Sequence, residues 1–104
     1  MVKLKHGVSI TGLSVEMHKA VAVMQIIWDY FGHELVMTAG TENPKEHMEN
    51  SRHAYGDAVD GRTRYFMPDI QNVIEQELKN KLKIIGNYTV IFHDNHAHVQ
   101  YNRV

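Results

Sequence analysis

The chain contains no cysteine. Disulfides, thiolate metal sites and a cysteine nucleophile are therefore excluded, and any metal must be held by His, Asp or Glu. A long apolar run is also missing. The most apolar stretch, AVAVMQIIW over residues 20–28, is too short to span a bilayer and is followed by Asp29. It lies too deep for a signal h-region, and no small-residue cleavage site follows it. The expectation is a protein made in the cytoplasm without an export signal of its own and with no membrane partner. Nor does one sign of charge dominate. Lys and Arg total 11 against 12 Asp and Glu, a formal net charge of −1. No basic cluster stands out to track phosphates, which argues against nucleic acid as a partner. Repeats, low-complexity segments and internal linkers are absent. The 104 residues suit one domain, 1–104, with one modest core.

Histidine, by contrast, is plentiful. The eight are His6, His18, His33, His47, His53, His93, His96 and His98, the last three crowded near the C-terminus. His6, His18, His33 and His47 have no partner pattern and read as surface residues. His93 reads as either surface or a neighbour of the site.

The hydrophobic pattern supplies a frame. GVSITGL, residues 7–13, reads as a short extended lead-in. Ser14 can cap a helix from about Val15 to Phe31, whose apolar face is Met17, Val21, Met24, Ile27, Trp28 and Phe31. Gly32 ends it. HELVMTA, 33–39, alternates like a strand, with Leu35 and Met37 on one side. Residues 40–50 are polar, carry Pro44 and read as a loop. GDAVD, 56–60, reads as a second short strand. Pro68 opens a helix over about 68–82, with Ile70, Val73, Ile74 and Leu78 inward and Glu75 and Lys79 paired outside. NYTVIFH and HAHVQYN form a hairpin around Asp94-Asn95. The expected class is α+β, with two helices on one face of a small, mostly antiparallel sheet. Its second face is partly open to water.

Alternate residues of a strand share a face. In HAHVQY this groups His96, His98 and Gln100, opposite Ala97, Val99 and Tyr101. In GDAVD it groups Ala58 with Asp60, and Asp57 with Val59. If the two strands are neighbours, Asp60 joins the histidines, and Ala58 leaves space beside them. His53 precedes Gly56 by three residues, and a bend at that glycine lets His53 fold back toward Asp60. Two imidazoles and one carboxylate are a common donor set for zinc with a water in the fourth position. Such an ion lowers the pKa of its water to about 7 and polarises a carbonyl.

These residues carry a resemblance. SRHAYGDAVD, residues 51–60, fits SxHxxGxAxD, and HAH fits a paired HxH. In this order they resemble the zinc peptidases of the D-alanyl-D-alanine carboxypeptidase and L-alanyl-D-glutamate peptidase group, which have the Hedgehog/DD-peptidase fold. The likeness to small phage and bacterial members runs over roughly residues 7–102. It implies one Zn2+ per chain held by His53, Asp60 and His98. It implies that Ser51 helps hold substrate, and that His96 orients the water or stabilises the transition state. Many members carry an arginine soon after the strand matching ELVMTAG. Here Thr41 and Glu42 follow, and Arg52, Arg62 and Lys45 are the available replacements. Some relatives place a glutamate base three residues before the last ligand. Here that residue is Asn95, which leaves Asp94 and His96 nearby. Tyr55 either lines the cleft or packs, and Arg62 and Arg64 are either a solvated strand end or substrate clamps. The implied activity is hydrolysis of peptidoglycan stem peptides, as carboxypeptidase or endopeptidase. The alternative is a non-catalytic zinc domain of this fold that binds cell wall or protein, such as a phage structural component.

Overall fold

The computed structural model describes residues 2–42 and 56–103. The elements in chain order are β1 (Val2–Leu4), α1 (Val15–Tyr30), β2 (Leu35–Ala39), β3 (Ala58–Arg62), α2 (Pro68–Ile85), β4 (Tyr88–Phe92) and β5 (His96–Tyr101). The class is α+β, as expected.

Helix α1 begins where Ser14, in extended backbone, accepts the Met17 N–H on its hydroxyl at 3.2 Å. It stops at Phe31, and Gly32 follows with φ +88°, a conformation that suits a residue without Cβ. Its buried stripe is Met17, Ala20, Met24, Ile27 and Trp28. Helix α2 starts at Pro68, whose missing N–H costs nothing in the first turn. It runs past the expected end at 82 because Lys83, Ile84 and Ile85 contain no breaker. The Gly86 N–H then closes on the Leu82 carbonyl at 3.0 Å. Ile74, Leu78 and Leu82 form its buried stripe. Val73, expected inward, is exposed. It sits about 100° round the helix from Ile74, and the stripe excludes it.

The sheet order is β1-β2-β3-β5-β4. It is mixed: β1 runs parallel to β2, and the other three pairings are antiparallel. Strand β1 was not anticipated, since three residues are too few to display an alternation. Residues 7–13, expected to be extended, instead carry turns, with Gly7 at φ +86° and Gly12 at φ +78°.

Inward positions of the strands, Leu35, Met37, Val59, Val90, Ala97 and Val99, form one cluster with the helix stripes. Helix α1 lies close on β3. A Cβ on Gly61 would come within 2.9 Å of both Met24 Cε and Leu35 Cδ1. The fully buried Trp28 donates its indole N–H to the Arg62 carbonyl at 2.9 Å, tying α1 to the end of β3. Truncating such a side chain costs about 3–5 kcal/mol. The core thus holds β3 and β5 rigidly from one side and leaves their other face for polar side chains. Among the described residues no helix is long and apolar enough to cross a membrane.

Candidate functional site

The motif enters the sheet through Gly56. Its φ is +76°, and a Cβ there would lie 2.4 Å from the Gly12 carbonyl oxygen. The Ser14 N–H donates to the Gly56 carbonyl at 2.9 Å. Both the backbone conformation and the close approach therefore require glycine. Asp57 comes next and is fully buried, although it precedes the strand. Its carboxylate takes both Nε and Nη2 of Arg103, the latter at 3.0 Å, and its carbonyl accepts the Tyr101 N–H at 2.8 Å. Alternation had placed Asp57 opposite Asp60, without a partner. The pairing with Arg103 carries no sequence signal, because the two lie 46 residues apart.

Strands β3 and β5 are antiparallel neighbours, with Asp60 opposite His98 and Arg62 opposite His96. The Thr63 N–H bonds to the Asn95 carbonyl at one end, and the Tyr101 N–H bonds to Asp57 at the other. Counting inward, Asp60 and His98 form a non-hydrogen-bonded pair, the kind that brings side chains closest. The Asp60 Oδ1 and His98 Nδ1 atoms are 2.9 Å apart, and the other His98 nitrogen, Nε2, is 2.9 Å from Gln100 Oε1. The Asp60 carboxylate raises the His98 pKa above the usual 6.5, burial opposes this, and Gln100 adds to it.

His96 shares the face. Its Nε2 is 3.8 Å from Asp60 Oδ2, and its Nδ1 is 2.7 Å from Asn95 Oδ1. Asn95 thus contacts the imidazole of His96. His93 is exposed, with its ring centroid 4.8 Å from that of His96. Asp94 is exposed on the bend between β4 and β5. Ala58 is fully buried. His33, expected at the surface, is half-buried and stacks on Tyr65 with centroids 4.4 Å apart.

A cleft of about 270 Å³ opens beside Asp60 and His96, lined also by Lys5, Thr38, Arg62, Arg64 and Asn95. Arg62 is half-buried and Arg64 exposed, yet both line it. Lys5 was not anticipated, since it reaches the cleft through the unforeseen parallel pairing of β1. A larger groove of about 550 Å³ lies between α1 and α2, lined by Ile26, Ile27, Tyr30, Phe31, Val73, Glu77 and Lys81. It holds no histidine. The smaller cleft is where titratable groups converge, and convergence marks chemistry better than size does.

The described part of the expected zinc set is Asp60 and His98. Neighbouring ligands of a tetrahedral zinc at about 2.0–2.1 Å lie about 3.3 Å apart. The observed separation of 2.9 Å between Oδ1 and Nδ1 is a few tenths short of that edge, so the pair fits two adjacent positions. The expected third ligand, His53, lies outside the described residues, as do Ser51, Arg52, Tyr55, Lys45 and His47. Among the described residues no group of three His, Asp or Glu side chains stands ready to hold a metal. No protein-family model, curated protein or solved structure matches the chain.

Proposed function

We propose that the chain is a zinc-dependent metallopeptidase of the Hedgehog/DD-peptidase kind, hydrolysing peptidoglycan stem peptides beside a D-alanine residue. The observation that carries this reading is the pairing of Asp60 with His98 across β3 and β5, with His96 on the same face and a cationic cleft alongside. His53, Asp60 and His98 would hold the ion. Bound zinc supplies a water that ionises near neutral pH and a charge that polarises the scissile carbonyl.

The protein's own groups do the rest. Asn95 Oδ1 accepts the His96 Nδ1 proton, which leaves Nε2 directed to the Asp60 side as the nitrogen that takes and returns a proton. Arg62, joined by Lys5 and Arg64, binds the substrate's carboxylate and orients the peptide along the cleft. Thr38 and Asn95 offer hydrogen bonds on the same wall.

The test is incubation with purified peptidoglycan and with a D-Ala-terminated peptide. Release of amine that a chelator abolishes and zinc restores supports the enzyme, and the fragment mass distinguishes carboxypeptidase from endopeptidase. Tight wall binding without released amine selects the non-catalytic zinc domain instead.

A further inference from the structure

We propose that the outer face of the helix layer, along the groove between α1 and α2, is a two-fold interface to a second copy of this chain. Each helix buries one stripe against the sheet, and a surface helix ordinarily turns polar side chains outward. Here the outward row of α1 is Ala22, Ile26 and Tyr30, at i, i+4 spacing, with Ile26 68 % and Tyr30 83 % exposed. Across the groove α2 adds Val73, 46 % exposed. It also adds Glu77 and Lys81, the only charged side chains among the described residues of the groove wall. Large apolar side chains exposed side by side mark a contact surface, whereas singly scattered ones would not.

The pattern on α2 selects the occupant. Val73, Glu77, Lys81 and Ile85 follow one another at i, i+4 along a single ridge, and all four are exposed. The order apolar, acid, base, apolar is its own complement when reversed. A two-fold axis crossing the ridge midway between Glu77 and Lys81 sets Glu77 against Lys81 of the second copy and Val73 against its Ile85, each contact made twice. Ridges of i±4 residues packed on each other give the commonest helix crossing, at about 50°. Within one chain Lys81 Nζ and Glu77 Oε2 are 3.8 Å apart, with the side chains 51 % and 49 % exposed, so both charges can still meet a partner. Helices of 16 and 18 residues, each about 10 Å across, present a face on the order of 500 Å² per copy. That is the small end of specific interfaces, so the pairing is weak and concentration-dependent. The helices cover the sheet face opposite Asp60 and His98, so pairing leaves both clefts open.

Sedimentation equilibrium of the wild-type chain from about 1 μM to about 1 mM, the range of weak association, is the test. The mass is expected to rise reversibly from 12.0 kDa toward twice that value. Ile26→Lys, on the exposed row of α1, is expected to weaken association about tenfold or more. Glu77→Lys and Lys81→Glu each set like charges against each other across the axis, and each is expected to weaken it about tenfold or more. A mixture of these two charge variants is expected to associate again, because two lysines of one chain then meet two glutamates of the other. Circular dichroism confirms that each variant is folded. None of these measurements involves zinc, so their outcome is separate from that of the functional proposal. A wild-type chain that stays monomeric at the highest concentration overturns the inference. So does a dimer that Ile26→Lys leaves intact, and so does a mixture of the two charge variants that stays monomeric.

Discussion

Asp60 on β3 and His98 on β5 face each other directly across the sheet, with a carboxylate oxygen and a ring nitrogen 2.9 Å apart. This contact couples the site to the stability of the fold. The folded-state pKa of His98 is raised, chiefly by Asp60. Its pairing therefore contributes stability that is fully present below the ordinary value near 6.5 and is lost as pH rises through the folded value. Urea midpoints of zinc-free protein are expected to fall as pH climbs from 6 toward 9, and Asp60→Asn to flatten that fall. An unchanged slope in the variant would show that another group is responsible.

Gly56 is required for two reasons that substitution can separate. Gly12 has a similar positive φ but open space around a would-be Cβ, whereas at Gly56 that atom would meet the Gly12 carbonyl oxygen at 2.4 Å. Gly12→Ala is expected to cost about 1–2 kcal/mol from backbone conformation alone. Gly56→Ala is expected to cost more, because neighbouring backbone must also move. Equal losses in urea unfolding would contradict the close packing described for the motif.

Asp57 is buried, whereas the Arg103 side chain is 59 % exposed. Removing the arginine leaves a carboxylate uncompensated away from water, and such a group is costly. Arg103→Ala is expected to destabilise the fold, and Asp57→Asn in the same chain to recover part of the loss. If the second change brings no recovery, the arginine acts through packing instead.

Arg62 is the side chain on the β3 face nearest in register to His96. A charge-assisted contact at a partly exposed position is worth about one factor of ten after solvent screening. Arg62→Ala is expected to raise KM for a D-Ala-terminated peptide about tenfold with a smaller change in kcat, and Arg64→Ala to do less. A loss confined to kcat would move Arg62 from substrate binding to the chemical step.

The elements that were legible in the sequence are those with a strong local signal. Ser14 and Gly32 bracket α1, Pro68 opens α2, and HAHVQY alternates cleanly enough to assign His96, His98 and Gln100 to one face. Adjacency of Asp60 and His98 required two strands to be neighbours, which the paired motifs suggested and alternation alone could not. What stayed hidden is long-range. Val2–Leu4 is too short to show a period, so neither the parallel edge nor Lys5 in the cleft was visible. Arg103 finds Asp57 only once β5 has paired with β3. The stacking of His33 on Tyr65 depends on how the segment after β3 passes the end of α1.

The most direct test is the metal content of the protein. Purified wild-type chain, equilibrated with zinc and freed of excess, is expected to carry one zinc ion per chain. His53→Ala, Asp60→Ala and His98→Ala, each shown folded by circular dichroism, are expected to carry essentially none. A folded wild-type protein that retains no zinc would contradict the account at its centre, and so would an Asp60→Ala protein that retains a full equivalent.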